Sequence, residues 1–480
     1  MKITVSEKIT KSDLLVIPFY KGKKPSTNQN TALNNQYAGD FEGNKGETVM
    51  LYQKNKITPR ILLVGLGEQK ETDIRTWRDA GGNVVKHLKK PIQNIAILPP
   101  KDDLELVSAF VEGLLLGHYQ YETFITNEER QKQPLKQLHL VVQDKKKKTT
   151  TQQALQETQQ TVAAVHYVRD LVNAPSNAVN PTSLASEAIK IAKSSSKISA
   201  KIFDESKLKR MGMGCLLGVG AGAKEQSRLI ILEHKYKPTN KKPIVLIGKG
   251  ICFDAGGINI KTRALTEMKF DMAGAATVLG VFKLLSEQKL PLHVIGIAAC
   301  AENMLGANAT KPSDVLTNYN GETVEVTNTD AEGRLVLSDA ISYAVKKLKP
   351  AAIIDIATLT GAAITALGYD YTALMTDTPN LREKLFAASK NVDEKLWELP
   401  VEESYKKYLK SPIADVCNYN RTPNAGTIMG GLFLEHFTKD IPWAHLDIAG
   451  SGWTNDNKPG FPKGATGRTV RTLWDMLKNY

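Results

Sequence analysis

The feature that most constrains this fold is a series of eight short apolar runs, each four to eight residues long and rich in β-branched side chains. They are LLVIPF (Leu14–Phe19), ILLVGLG (Ile61–Gly67), IAIL (Ile95–Leu98), LHLVV (Leu138–Val142), LIIL (Leu229–Leu232), PIVLIG (Pro243–Gly248), LHVIGIAA (Leu292–Ala299) and AAIIDIAT (Ala351–Thr358). Runs of this length read as buried strands. Helical patterns such as Leu104–Gly117 lie between them, and strands alternating with helices predict an α/β chain with a largely parallel sheet. The Gly65-Leu66-Gly67 turn after a strand has the makings of a phosphate cradle, although so short a glycine pair is more often a tight turn.

Between the fourth and fifth runs lies DKKKKTTTQQALQETQQ, a polar, lysine-rich stretch that marks a solvated linker rather than a recognition surface. It divides the chain into an N-terminal α/β domain over 1–150, a linker helix over 151–166 and a second α/β domain over 167–480. The net charge of +13 is spread along both halves, so it gives no concentrated nucleic-acid or membrane surface. No apolar stretch approaches a membrane span, and MKITVSEKITKSD lacks the apolar centre of a signal peptide, so a cytoplasmic location is expected. The four cysteines are scattered without CxxC spacing, which suits a reducing compartment.

Open α/β sheets place their chemistry in loops leaving the carboxyl ends of strands. PIVLIG runs into KGICFDAGGINIK, carrying Lys249, Asp254 and Lys261, and MKFDMAGAA follows with Asp271 in an apolar setting. Further on, NTDAEGRLVL places Asp330, Glu332 and Arg334 at alternate positions before an apolar run. Thr329-x-x-Glu332 has the spacing of a capping box, and Leu337, Ile341, Ala344, Val345 and Leu348 recur as one helical face. Gly333 argues for more than a cap: glycine in a first turn costs about 1 kcal/mol against alanine, which points to a close backbone approach there.

Asp254, Asp271, Asp330 and Glu332 are four carboxylates that repel one another at close range unless cations neutralise them. Two divalent ions do so, and bridging carboxylates hold metal pairs used for hydrolysis. The histidines offer no HExxH spacing, so such a site is oxygen-rich.

GKGICFDAGG, MKFDMAGAA, NTDAEGRLVLSDA and IATLTGAA together resemble the signatures of the leucyl (cytosol) aminopeptidase family. RDLVNAPSN, AENMLGANATKPSDVLTNYNGETVEV, FLEHF and WAHLDIAG extend the resemblance over roughly residues 165–475. The resemblance implies a macro-domain-like N-terminal α/β domain and a catalytic α/β domain with a central mixed sheet. It implies a metalloexopeptidase that releases N-terminal, preferably apolar, Leu- or Met-like residues from short peptides with a free amino terminus, with a metal-bridging hydroxide as nucleophile. The cofactors implied are two divalent ions, manganese or zinc with magnesium and cobalt as alternatives, and bicarbonate.

By the same resemblance Asp254 and Glu332 bridge the ions, Asp271 binds one, and Lys249 with Asp330 binds the other. Lys261 stabilises the oxyanion and Arg334 holds bicarbonate. Met268, Thr358, Gly361 and Ala449 line the first-residue pocket, where plain core packing is the competing account. The chain departs from the family pattern at Thr262, where proline usually follows the lysine, and in a loop before MKFDM one residue shorter.

Two other readings remain open. A two-metal phosphoesterase shares the carboxylate pattern but lacks a P-loop, and a DNA-binding role for the basic N-terminal half is permitted without being argued for. The family also implies a homohexamer. Ile428, Met429, Leu432 and Phe433 in TIMGGLFLEHF supply apolar residues for such an assembly, and a buried helix explains them equally well.

Overall fold

The computed structural model describes residues 1–33, 40–54, 56–88, 91–131, 133–236, 241–419 and 424–480. They divide into two compact units, Met1–His166 with Asp456–Lys463, and Tyr167–Asn455 with Gly464–Tyr480.

In the first unit six strands form one sheet: β1 (Lys2–Ser6), β2 (Leu14–Tyr20), β3 (Thr48–Tyr52), β4 (Arg60–Gly67), β5 (Asn94–Ile97) and β6 (Gln137–Val141). Their order is β1-β6-β5-β2-β4-β3, and every pairing is parallel except β3 against β4. β2 is buried at all of its positions, which is why it reads as a continuous apolar run rather than an alternating one. The turn ending β4 cradles protein instead of phosphate. A Cβ on Gly65 would lie 2.0 Å from the Asn44 carbonyl oxygen, and the Gly67 N–H donates to Gly43 O at 2.9 Å. The lysine run is regular structure, a 3-10 turn over Lys145–Lys147 that passes into the 26-residue helix Lys148–Asn173. Composition predicted its solvation, not its conformation.

The second unit contributes β7 (Ile198–Phe203), β8 (Arg228–Lys235), β9 (Ile244–Asp254), β10 (His293–Asn303), β11 (Val315–Thr317), β12 (Thr323–Glu325), β13 (Ala352–Ala357), β14 (Thr372–Met375), β15 (Leu396–Glu398), β16 (Val416–Cys417) and β17 (Trp443–Asp447). Eight of these form a mixed sheet in the order β15-β14-β17-β13-β9-β10-β8-β7, with β17, β13, β9 and β10 parallel at its centre. β11, β12 and β16 make a small separate sheet. Ile247, Ile251, Ile353 and Ala357 on one face of the large sheet pack with Leu335, Leu337 and Ile341 of the helix Glu332–Tyr343. Met429, Leu432 and Phe433 join the same core from the helix Gly426–Glu435, with Ile428 packed against it. Met429, Leu432 and Phe433 are therefore internal packing, as the buried-helix account has it, and Ile428 is partly exposed.

Among the described residues, no helix is long and apolar enough to cross a membrane. All four cysteines are free thiols in buried positions.

Candidate metal centre

β9 supplies two of the expected groups, Lys249 in mid-strand and Asp254 at its end. Residues five apart on a regular strand point to opposite faces. Here the register slips: Ile251 pairs with Ala301 but Asp254 pairs with Asn303, so β9 carries one extra residue. This bulge turns Asp254 onto the side that Lys249 faces.

Asp271 is the penultimate residue of the 3-10 segment Leu265–Met272, which leads directly into the helix Ala273–Glu287. That helix starts hard against the sheet, since a Cβ on Gly274 would lie 2.0 Å from Ile356 O and 2.8 Å from Lys249 N. Only glycine permits the approach, and it brings Asp271 Oδ1 to 2.9 Å from Lys249 Nζ. Lys249 Nζ also lies 2.7 Å from Glu332 Oε1 and donates to Thr358 O at 2.9 Å. The Thr358 hydroxyl in turn donates to Asp271 Oδ1 at 2.7 Å.

Asp254, Asp330 and Glu332 each present a carboxylate oxygen within 4.8 Å of the others. Lys261 Nζ spans this group, 2.8 Å from Asp254 Oδ2 and 2.5 Å from Asp330 Oδ1. The structure thus groups Lys249 with Asp271 and Glu332, and Asp330 with Lys261 and Asp254. The resemblance puts Lys249 with Asp330 on one ion and Asp271 on the other; in side-chain contact Lys249 meets Asp271 and Glu332. Strand order decides this, because the helix start at Gly274 lies over β9 and β13 next to Lys249.

The expected capping box is also absent. The helix begins at Glu332 with Ala331 as an uncapped N-cap, because Glu332 turns inward to Lys249. The Thr329 hydroxyl donates to Gly256 O and accepts from Asn259 N. Gly333 does mark a close approach: a Cβ there would lie 2.5 Å from Lys249 Cε and 2.6 Å from its Nζ.

Electrostatics follow from crowding in a dry site. Burial, then the Asp254 and Glu332 charges, push the Asp330 carboxyl up to about 6. Burial likewise raises Asp271 and Asp254. Burial disfavours a charged Lys249, but Asp271, Glu332 and Asp254 outweigh it and hold the ammonium above its usual range. Asp271 Oδ2 and Glu332 Oε2 are buried without a hydrogen-bond partner among the described residues. Buried acceptors left bare are costly, and oxygen donors converging with unused lone pairs fit divalent cations. Lys249 joins such a set only as the neutral amine, its proton displaced by the cation.

Arg334 is buried and feels the Glu332 charge. Its Nη1 donates to Asn418 O at 3.0 Å, its guanidinium lies 5.8 Å from the Tyr419 ring centre, and its Nε is unpartnered among the described residues. Of the residues expected in a substrate pocket, Thr358 is committed to Asp271 as above, and Met268 is half-buried one turn before Asp271. A Cβ added to Gly361 meets open space. Ala449 is buried and donates its N–H to Asp447 Oδ1, which also accepts from Leu359 N, so Asp447 ties the segments carrying Thr358 and Ala449.

Sequence reasoning missed Asn303, Asn418 and Asp447. Asn303 Nδ2 donates to Asp254 Oδ1 at 2.8 Å and to Thr329 O at 3.0 Å. Its place at the carboxyl end of a central strand was the one available signal.

Comparison with known proteins places both halves of the chain in one family. The family model described as the cytosol aminopeptidase family, catalytic domain, matches residues 166–474, and that family's N-terminal domain matches residues 16–128. A probable cytosol aminopeptidase of Thioalkalivibrio sulfidiphilus is 41% identical over 450 residues, covering 92% of this chain and 90% of that protein. One from Azotobacter vinelandii is 41% identical over 448 residues, covering 92% and 89%. Among solved structures, the bottromycin maturation enzyme BotP in complex with Mn is similar with a TM-score of 0.86 and 29% identity, covering 98% of this chain and 99% of that one. With its carboxylates, lysines and buried arginine gathered as described and both halves matched by family models, the chain belongs to the cytosol aminopeptidase family of metal-dependent aminopeptidases.

Proposed function

We propose that this protein removes N-terminal residues, apolar ones by preference, from short peptides with a free amino terminus. Lys249, Asp254, Asp271 and Glu332 hold one divalent cation and Asp254, Asp330 and Glu332 the other, manganese or zinc by preference and cobalt or magnesium as substitutes. The observation that carries this reading is the convergence of the Asp254, Asp330 and Glu332 carboxylates, with Asp271 joined to them through Lys249, and with two buried oxygens, Asp271 Oδ2 and Glu332 Oε2, left without partners among the described residues. When bound, a cation pair ligates the substrate's amine, polarises the scissile carbonyl and acidifies a shared water so that hydroxide is available as nucleophile.

The chain's own residues do the rest. Lys261 has the most accessible ammonium of the cluster, with its side chain 19% exposed, and donates to the carbonyl oxygen as negative charge develops there. Arg334, with its unpartnered buried Nε, holds a bicarbonate that carries the proton from nucleophile to leaving amine. Met268, Thr358, Gly361 and Ala449 line the first-residue pocket; small and apolar linings change affinity by only about 1–3 kcal/mol per methylene, so selectivity among apolar residues is modest. The enzyme works in the cytoplasm as a homohexamer.

The test is a paired substrate assay. Leucine anilide should be hydrolysed by the Mn²⁺-loaded enzyme, lost on chelation and regained with Mn²⁺, Co²⁺ or Zn²⁺, while N-acetyl-leucine anilide should be inert. Turnover that survives complete metal removal, or efficient cleavage of the acetylated substrate, overturns the reading.

A further inference from the structure

The backbone that carries Asp330 and leads into Glu332 belongs to no strand or helix between Thr327 and Ala331. Buried backbone polar groups need partners wherever they lie, and here side-chain amides supply them. Asn259 Oδ1 accepts from Thr329 N at 2.8 Å, and Asn303 Nδ2 donates to Thr329 O at 3.0 Å. Asn418 does the most. Its Oδ1 accepts from Thr327 N at 2.8 Å and Asn328 N at 3.3 Å, and its Nδ2 donates to Asn328 O at 2.7 Å and Ala331 O at 3.2 Å. The residue is fully buried, so both ends of one amide are spent on a single loop. No other side chain of this shape offers two donors and an acceptor.

The main chain of Asn418 makes two further bonds. Its N–H donates to Glu325 O at 2.9 Å, which extends the parallel pairing of β16 with β12 by one step. Its carbonyl accepts from Arg334 Nη1 at 3.0 Å. The small sheet, the loop bearing Asp330 and the buried arginine therefore meet at one residue. We infer that Asn418 is a positioning residue for the metal centre: it holds the Thr327–Ala331 backbone in the curve that aims Asp330 and Glu332 at Asp254, and it fixes Arg334 relative to them. This rests on the ligand assignment proposed above.

The small sheet thereby acquires a role beyond packing. β16 is only two residues long, and its register against β12 (Val324 with Val416, Glu325 with Cys417) sets where Asn418 falls. A one-residue slip would turn the amide to the opposite side. The outer partners of a metal site orient its ligands, and losing one typically costs about 10–100-fold in metal affinity or activity.

The experiment titrates metal-free full-length protein with Mn²⁺ by calorimetry and pairs the result with steady-state hydrolysis of leucine anilide. The parent should bind two ions. Asn418→Asp keeps the shape but swaps the donor for an acceptor facing two carbonyls; it should lose about 10–100-fold in Mn²⁺ affinity and a similar factor in kcat at saturating metal. KM should move by less than about threefold, because the pocket residues lie on other segments. Thr327→Val, which removes a hydroxyl bonded to Asn418 Oδ1 at 3.3 Å and to Tyr419 O at 2.7 Å, should shift both readouts in the same direction by a smaller factor. A role in stability alone would lower the melting temperature while leaving affinity and kcat of the folded enzyme at parental values, and that result overturns the proposal. If Asn418→Asp does not fold, parental affinity and kcat in Thr327→Val overturn it instead. A parent that binds no Mn²⁺ sinks the underlying ligand assignment, which is a different failure.

Discussion

Replacing Gly333 by alanine reverses a familiar sign. On a solvated helix the change stabilises by about 1 kcal/mol, because alanine loses less backbone freedom and shields the helix. Here the added methyl would sit 2.5 Å from Lys249 Cε and 2.6 Å from Nζ, whereas non-bonded heavy atoms rest at about 3.5–4.0 Å. A lysine tip normally swings aside, but this one is 3% exposed and held by Asp271, Glu332 and the Thr358 carbonyl at 2.9, 2.7 and 2.9 Å. Retreating by about 1 Å breaks up this set of contacts, since a 2.7–2.9 Å bond lengthened by that much is beyond hydrogen-bond range. Stripping partners from a buried charge costs about 3–5 kcal/mol. Set against about 1 kcal/mol of helix gain, the net is a destabilisation of about 2–4 kcal/mol. Calorimetry of metal-free protein should show the transition of the second unit falling by several degrees, since 1 kcal/mol moves a domain of 150–250 residues by about 2–4 °C. The variant should also take up less Mn²⁺ than the parent. A Gly333→Ala protein that melts at or above the parental temperature and binds two ions would refute the reasoning, because Lys249 would then have room that the packing denies.

Asp254→Ala or Glu332→Ala should lose bound metal together with turnover, which metal analysis of the purified variants checks, since each removes a group shared by both proposed ions. Arg334→Ala should retain metal but lose kcat and respond less to added bicarbonate; an empty metal site in that variant would contradict the division of roles. Glu394→Ala is a stability control. Glu394 accepts from Thr469 N, Thr472 N and Thr472 Oγ1 and pairs with Arg471 at 3.1 Å. Its loss should cost about 3–5 kcal/mol in denaturant unfolding while leaving Mn²⁺ stoichiometry intact, and an unchanged unfolding midpoint would contradict that account. Light scattering should give a particle of six 52.7 kDa chains, and a fully active monomer would remove the hexamer while leaving the metal chemistry untouched.

Much of this protein is written in local sequence. The eight apolar runs emerge as β2, β4, β5, β6, β8, β9, β10 and β13, because strands covered on both faces must be apolar throughout and so announce themselves without reference to neighbours. Other strands escaped that reading: β1, β7 and β15 mix exposed with buried positions and β3 is only partly buried, while β14 and β17 are buried throughout but short, with His445 and Asp447 interrupting the apolar run of β17. The chemistry-bearing groups were legible for a related reason, since Asp254, Asp271, Asp330 and Glu332 lie where strands and helices begin or end, and Lys249 directly follows the PIVLIG run inside β9. Gly333 announced a close approach, but only the fold identifies Lys249 as what it approaches. The rest depends on which distant segments the strand order brings together. The bulge opposite Asn303 re-aims Asp254, the helix start at Gly274 sets Asp271 beside Lys249, and Asn418 reaches the ligand loop across 90 residues of chain. Propensity and periodicity describe a segment's own backbone and faces. Hydrogen bonds between segments that meet only in the assembled sheet are decided by register and strand order, and these exist only once the chain has folded.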